Sequence, residues 1–334
     1  MNKPMQPPTC NRRQLLALAA GAAAAGPLAA RAQTGFATRP VKVVVPFAAG
    51  GATDVITRVL GEHMGKRFGQ PVVVDNKPGG AGLIAGEMVV KSPPDGMTVL
   101  LGTTSSMLTN KYLYKKPPYD PLADLTPLVR VCLAPIALVV TNDVPAQNLQ
   151  EFMAWLRANK GKLSYGSYGI GSHGQLACTT LSDVAGADMA HVAYKGEAPM
   201  IQDLLGGQIK IGMGSLLSIK AHIDSGRLRA LAVTGDRRST LAPNLPTVAE
   251  SGLPGYSSVT WFGIYGPAGM KPELVARINQ AFNRAIQNPE VIASLAKQGV
   301  EPAKPQTPAQ FAAMVQADSA RWAKVIRDNH ITLE

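Results

Sequence analysis

Two glycine-rich turns carry the residues whose types and spacing could bind a small anion. In the first turn, the apolar run Val41–Val45 leads through Gly50 and Gly51 into a helix that begins near Thr53 and Asp54. A helix N-terminus presents unpaired N–H groups and a partial positive charge, and both attract an anion. The turn lacks the Gly-Lys-Ser/Thr end of a P-loop and the spaced glycines of a dinucleotide fingerprint. It therefore predicts binding of a small anion rather than of a nucleotide.

The second turn follows another predicted strand and again precedes a helix. Its glycines let the backbone approach a ligand closely, and a serine at its end is placed to cap the helix. If both turns face one cleft, they could hold the two ends of a carboxylate ligand. The alternative is that both are ordinary turns of an α/β fold. The candidate residues of this second turn are Ser167, Gly169, Gly171, Ser172 and His173.

Three further polar features could reach such a cleft. Thr103 and Ser105 follow a predicted strand at its carboxyl end, the edge at which open α/β sheets bind ligands. Tyr194 ends another strand and either reaches the cleft or covers the surface. Asp54 lies four residues before Arg58, which fits a surface ion pair, a stabilised helix N-terminus or a contact to a ligand amine or an ordered water.

Enzymatic chemistry has little support in the sequence. A nucleophile elbow needs glycine two residues before its serine, but Tyr165 precedes Ser167 and Ile170 precedes Ser172 at that distance. The histidines are scattered, and neither C-x-x-C nor H-E-x-x-H occurs. We therefore predict a binding protein without catalytic residues, metal or cofactor.

Strand and helix patterns alternate along the chain and then restart, which predicts two α/β units with mostly parallel sheets. Leu128–Val131 and Ile136–Val140 read as two separate strands at the end of the first unit. The second unit begins with a helix over Leu149–Ala158, and a strand over Ser258–Tyr265 returns the chain to the first unit. This order predicts a bilobal protein with a cleft.

The first 32 residues have the pattern of a signal peptide. Arg12 and Arg13 precede an apolar run that ends in an A-x-A cleavage motif at Ala32. The arginine pair is also compatible with twin-arginine export. We therefore expect an exported, soluble protein that begins at Gln33.

The net charge of the chain and the distribution of its basic residues bear on which partners it can bind. Setting the signal segment aside removes four basic residues and no acidic one, and lowers the formal net charge from +11 to +7. No basic run with interleaved aromatic residues is present, so we expect no nucleic-acid partner.

Cys132 and Cys178 each lie in an apolar stretch, which favours two buried free thiols although export permits a disulfide.

The chain resembles the Bug family, the substrate-binding proteins of tripartite tricarboxylate transporters. The resemblance covers nearly all of the mature sequence and rests on several segments in the same order. They include VPFAAGGATD, GQPVVVDNKPGGAG, GKLSYGSYGIGSHGQLA, HVAYKG, GRLRALAVTGDRRS and LPTVAESGLPGY.

The resemblance implies a periplasmic-binding-protein (Venus flytrap) fold with two lobes joined by two hinge strands. Lobe 1 would comprise residues 33–134 and 263–334, and lobe 2 residues 135–262. The implied function is capture of a di- or tricarboxylate, an amino acid or an aromatic acid by a periplasmic monomer, for delivery to membrane transporter subunits. A ligand sensor that feeds a signalling partner is the alternative. The turns from Phe47 to Asp54 and from Ser167 to Ser172 match the segments that hold a carboxylate in the family.

The sequence departs from the family at one position near the cleft. Where relatives commonly carry an acidic residue before serine, this chain has Gly214 before Ser215. Ser215 stays a candidate site residue. The missing acid predicts a roomier or less acidic pocket, for a larger or more anionic ligand.

Overall fold

The computed structural model describes residues 37–50, 52–79, 82–297 and 299–333. The proposed signal peptide and Gly51 lie outside them. Within lobe 1, the strands are β1 (Val41–Val45), β2 (Val72–Asn76), β3 (Thr98–Thr103) and β10 (Glu301–Pro302), and β9 (Val259–Pro267) crosses the proposed lobe limit at residue 262. Within lobe 2 they are β5 (Ser164–Ser167), β6 (Ala190–Ala193), β7 (Ile211–Ser215) and β8 (Arg229–Val233). A long strand, β4 (Leu125–Val140), belongs to both.

Each lobe contains parallel pairs, and the strands that connect the lobes pair antiparallel. In lobe 1, β1 lies between β2 and β3 and is parallel to both. In lobe 2, β5 is parallel to β6 and β7. β4 pairs antiparallel with β9 on one side of the junction and with β7 and β8 on the other. The predicted bilobal α/β fold with two connecting strands is confirmed, but the sheets are mixed rather than mostly parallel, because β4 and β9 pair antiparallel with their neighbours.

One element differs from the prediction, because Leu128–Val131 and Ile136–Val140 belong to a single sixteen-residue strand. Pro135, which lies between them, lacks a backbone N–H and is a common strand breaker. Here Pro135 sits opposite Val259 in the antiparallel pairing with β9, and the strand continues into lobe 2. The uninterrupted strand makes β4 a structural link between the lobes.

Helices cover both faces of each sheet. In lobe 1 they are α1 (Ala52–Phe68), α2 (Leu83–Val90), α3 (Asn110–Leu113), α8 (Pro272–Ile286), α9 (Pro289–Lys297) and α10 (Pro308–Asp328). In lobe 2 they are α4 (Leu149–Ala158), α5 (His173–Ala185), α6 (Glu197–Leu205) and α7 (Leu216–Asp224). A π-helical turn at Ser105–Thr109 leads into α3 and was not predicted. None of the helices in the described ranges has the length and hydrophobicity to cross a membrane.

The apolar cores explain this layering. Ile56 and Phe282 pack on one face of the lobe 1 sheet, while Tyr265 and Phe311 pack on the other. Lobe 2 likewise has one core around Phe152 and a second around Met200. Cys132 is buried in a lobe 1 core and Cys178 in a lobe 2 core, both as free thiols, so the prediction of two buried free thiols is confirmed.

Candidate functional site

A cavity of about 430 Å³ lies where the two lobes meet, at the ends of several strands. Its volume falls in the range typical of small-molecule sites. Lobe 1 contributes six lining residues, which are Phe47, Gly50, Ala52, Thr53, Thr103 and Ser105. Five of these were predicted from the sequence, and they bring the first glycine-rich turn together with the hydroxyls that follow β3.

Lobe 2 lines the opposite wall through residues that were mostly not predicted. These are Tyr168, Gly196, Glu197, Ser215, Leu217 and Ser218. Connecting segments and one lobe 1 loop complete the cavity with Ala134, Ile136, Thr260, Phe262, Gly299 and Val300. The cavity therefore combines polar groups at two facing walls with apolar side chains between them.

Asp54 holds the first turn in place from beneath. Its carboxylate is almost fully buried, and Oδ2 accepts the backbone N–H of Gly50 at 2.9 Å. The exposed Arg58 guanidinium donates to both carboxylate oxygens at 3.0 Å and, as the main cause, lowers the pKa of Asp54. Asn76 donates to the carbonyl of Phe47 at 3.0 Å. Asp54 does not line the cavity wall, so its contacts indicate that it positions the turn.

The hydroxyls that follow β3 are positioned by a compact hydrogen-bonded turn. The backbone N–H of Thr103 donates to Oγ of Ser106 at 2.9 Å, and the two side-chain hydroxyls lie 3.2 Å apart. Thr104 points away from the cavity and accepts the backbone N–H of Trp261 at 3.0 Å. Ser105 is half-buried and lines the cavity between these two residues. Ser105 is thus flanked by residues that hydrogen bonds hold in place.

The second glycine-rich turn satisfies its own backbone donors. Four of its N–H groups are bonded inside the turn or the following helix. The pairs are Gly169 with Ser167 Oγ, Gly171 with Gln175 Oε1, Ser172 with the Gly169 carbonyl and Gly174 with the Tyr168 hydroxyl. The described cavity wall includes Tyr168 from this turn, but none of the five turn residues that the sequence singled out. Their role in ligand binding stays a prediction.

The remaining predicted residues of this region have structural partners away from the cavity. Ser172 caps α5 by accepting the N–H of Gln175 at 3.2 Å. His173 is buried with Nε2 3.0 Å from Ser258 Oγ, and burial lowers its pKa to about 4. Tyr194 donates to Asp203 at 2.7 Å. In this arrangement they support lobe 2 and lie outside the wall of the cavity.

Glu197 places a carboxylate on the lobe 2 wall. Its Oε1 accepts the backbone N–H of Ser215 at 2.7 Å, and its Oε2 accepts the hydroxyls of Ser215 and Ser218. A Cβ atom added to Gly214 would lie 3.6 Å from Oε1. Glu197 therefore places a carboxylate on this wall, and the expectation of a roomier or less acidic pocket than in relatives stays a prediction.

The sequence did contain signals for the missed residues. Glu197 follows the HVAYKG segment at the carboxyl end of β6, the edge where ligands bind in α/β sheets. Ser218 lies three residues after Ser215, a spacing that places both hydroxyls at one helix N-terminus. What the sequence could not show is that the two segments meet.

Electrostatics distinguish the two walls. Burial, and next the charge of Glu197, raise the pKa of the Tyr168 hydroxyl well above its ordinary value, so this side chain stays a neutral hydrogen-bond donor. Among the described lining residues, Glu197 is the one with a formal charge. No group of histidine, cysteine, aspartate and glutamate side chains in the described ranges is arranged to hold a metal ion. The cavity is built from hydroxyls, backbone groups, apolar side chains and one carboxylate.

Comparisons with known proteins agree with this architecture. The profile of the family described as tripartite tricarboxylate transporter family receptor matches residues 56–331. A protein encoded in the tcbD–tcbE intergenic region of Pseudomonas sp. strain P51 is 35% identical over 316 residues, which are 94% of each chain. BugT of Bordetella pertussis is 34% identical over 300 residues, 90% of this chain and 92% of BugT.

Solved structures show the same likeness. Rpa4515 of R. palustris, determined with adipate, is 34% identical with a TM-score of 0.79, over 88% of this chain and 98% of that one. MatC of Rhodopseudomonas palustris, determined with bound malate, is 30% identical with a TM-score of 0.74, over 86% and 99% of the two chains. The periplasmic binding protein BugD is 32% identical with a TM-score of 0.76, over 89% and 99%.

Proposed function

The chain belongs to the tripartite tricarboxylate transporter receptor family, and we propose that it captures a small carboxylate in the interlobe cavity and delivers it to membrane subunits of such a transporter. The observation that carries this proposal is the cavity itself. One of its walls is the N-terminal end of α1 together with the hydroxyls of Thr53, Thr103 and Ser105. Such an arrangement favours an anion through N–H groups and hydroxyls.

The solved relatives support the carboxylate class, because Rpa4515 was determined with adipate and MatC with malate. We propose that the carboxylate lies against the lobe 1 wall and that lobe closure about β4 and β9 encloses it. The lobe limits given above and cleavage after Ala32 are part of this proposal. In a bacterial cell the mature protein would act in the periplasm, as the name of BugD states for that relative.

Native mass spectrometry followed by a thermal-shift screen of mono-, di- and tricarboxylates tests the proposal. A ligand at a hundredfold excess over its Kd stabilises a protein by about 2.7 kcal/mol. We expect at least one acid to give a saturable shift that weakens in Ser105→Ala and Thr53→Val. Ser92→Ala is the matched control, because the Ser92 hydroxyl bonds the Val89 carbonyl at the end of α2.

Absence of binding by every acid in the screen would overturn the proposed function. Delivery to a transporter has a separate test, the capture of membrane proteins by the liganded receptor. Recovery of a sensor protein without transporter subunits would replace delivery by signalling.

A further inference from the structure

The Glu197 carboxylate occupies the part of lobe 2 that would otherwise receive an anion from the cavity. It lies at the N-terminal end of α7, where Ser215 is the capping residue. The Ser215 N–H and hydroxyl both point to it at 2.7 Å, and the Ser218 hydroxyl is a third donor. A ligand carboxylate would need the same three donors, because backbone N–H groups and hydroxyls at a helix N-terminus are the usual anion contacts.

The rest of the described wall offers no cation to offset this charge. The other lining residues are uncharged, and the neutral Tyr168 hydroxyl on the same side, which accepts the Gly174 N–H at 3.1 Å, supplies no positive charge. A second ligand carboxylate placed here would lie beside Glu197 in a partly desolvated site. Like charges in such a setting repel strongly.

The same carboxylate can accept a donor from a ligand. A carboxylate has about four acceptor positions. In the described structure, Oε2 accepts two hydroxyls and Oε1 accepts one N–H, so one position remains on the oxygen that faces Gly214. Glu197 is half-buried and lines the cavity, so its carboxylate can contact a bound molecule.

We propose that Glu197 acts as a built-in carboxylate that fills the anion-binding end of lobe 2 and selects a monocarboxylate whose far end carries a hydrogen-bond donor. This inference rests on the proposed function, in which the ligand carboxylate lies against lobe 1. The ligand class is an amino or hydroxy monocarboxylate, and di- and tricarboxylates are disfavoured. Gly214 belongs to the same arrangement, because its missing side chain leaves room beside Oε1.

Matched ligands and variants of the mature protein test this selection by calorimetry. The ligands are adipate, 6-aminohexanoate, 6-hydroxyhexanoate and hexanoate, together with succinate, 4-aminobutyrate, 4-hydroxybutyrate and butyrate. Within each chain length, only the group at the far end changes. Glu197→Ala frees the three donors, and Glu197→Gln keeps the side-chain shape without the charge.

The matched control is Glu151→Ala. Glu151 also accepts a backbone N–H at a helix N-terminus of lobe 2, from Gln147 at 2.7 Å, but it is exposed and lies outside the described cavity wall. The variant Glu151→Ala therefore measures the effect of losing a carboxylate at a helix N-terminus without any change at the cavity. A purely structural role of Glu197 would lower stability as Glu151→Ala does and leave the order of ligand affinities unchanged.

We expect the wild-type protein to bind the amino or hydroxy acid at least about tenfold more tightly than the dicarboxylate of equal length. This ratio of affinities corresponds to the energy of one charged hydrogen bond. Glu197→Ala should reverse this order, and Glu151→Ala should keep it. Equal or tighter binding of dicarboxylates by the wild type, with an unchanged order in Glu197→Ala, would overturn the inference alone. If no acid of any kind binds, the proposed function fails, and the inference fails with it.

Discussion

A Cβ atom built on Gly171 would lie 2.1 Å from Cδ1 of Leu113, so the second glycine-rich turn packs directly on α3 of lobe 1. Leu113 is almost fully buried, and Gly171 has a φ of +70°. A second contact between the lobes is the edge-to-face packing of the His173 and Trp322 rings, whose centroids lie 5.3 Å apart. These contacts connect lobe 2 to lobe 1 outside the cavity, and they define an interlobe surface that ligand-driven closure has to preserve or break.

Gly171→Ala should destabilise the protein by about 1–3 kcal/mol, because it combines a strained backbone with an overlap at Leu113. Gly186→Ala is the matched control, since Gly186 has a φ of +63° but nothing within 4 Å of an added Cβ. Urea denaturation measures both effects, and X-ray scattering shows whether the lobes separate. Equal losses in the two variants would mean that the contact with Leu113 adds nothing beyond backbone strain.

The contact with Leu113 gives a second reason for a glycine in this turn, besides the predicted approach of a ligand. A Ser/Gly loop between a strand and a helix is read in the same way whether a ligand or a neighbouring side chain approaches its backbone. The elements and their order were predictable, because the apolar periodicity of strands and helices is a local property. Which loop faces the cavity depends on contacts such as Gly171 with Leu113, which join residues far apart in the chain.

Glu197 and β4 are two further features that depend on contacts between residues far apart in the chain, which the sequence alone does not show. The Glu197 side chain becomes informative only when α6 places it beside Ser215, eighteen residues later. In the sequence, Pro135 indicates the end of a strand, but in the structure β4 continues past Pro135 because it pairs with β9 there. Lobe 1 residues of the cavity were predicted better, because the first turn and the hydroxyls after β3 follow the strand-edge rule directly.

Replacing Asp54 by Asn should weaken carboxylate binding without unfolding the protein. The change removes the charge that pairs with Arg58 and reduces the hold on the Gly50 N–H, so the turn at the cavity loses its fixed shape. We expect about a tenfold loss of affinity by calorimetry, the size of one charged hydrogen bond. Glu62→Gln, on the exposed face of the same helix, should leave affinity unchanged, and a matching loss there would discredit the role given to Asp54.

Acid should destabilise the folded protein through the buried His173 and the half-buried His191. Burial lowers the pKa values of His173 and His191 from 6.5 to about 4, so between these values the unfolded chain binds more protons than the folded one. The free energy of unfolding therefore falls as the pH is lowered from 6.5 to 4, by up to about 3 kcal/mol for His173. His173→Gln should flatten the pH profile of urea stability, whereas the exposed His330→Gln should not. Parallel profiles for all three proteins would contradict this assignment.

The two cysteines should resist thiol reagents in the native protein. Cys132 and Cys178 are completely buried in different cores, and burial raises the pKa of each thiol. Because the thiolate is the reactive form, the native mature protein, which begins after Cys10, should show almost no reaction with a disulfide reagent, and the same protein in denaturant should show two equivalents. Rapid labelling of the native protein at either cysteine would show that its core opens readily.

Placing an acid at Gly214 should destabilise this protein. The added Cβ would touch Ile219 and Met200 at 3.4 Å and lie 3.6 Å from Glu197 Oε1, so Gly214→Asp places two carboxylates side by side in a buried position. We expect a loss of about 2–4 kcal/mol in urea denaturation from repulsion and desolvation. Gly214→Asn fills the same space without the charge and should cost less.

The double variant Gly214→Asp with Glu197→Ser separates charge from space. It moves the carboxylate from α6 to β7, where the Ser215 N–H and the Ser218 hydroxyl remain nearby. Because only one negative charge then remains on this wall, we expect the double variant to recover most of the stability lost by Gly214→Asp. A double variant as unstable as the sum of the two single changes would show that the residues do not compete for one site. Recovery would establish that Glu197 and Gly214 form one unit, in which the acid can be supplied from either element.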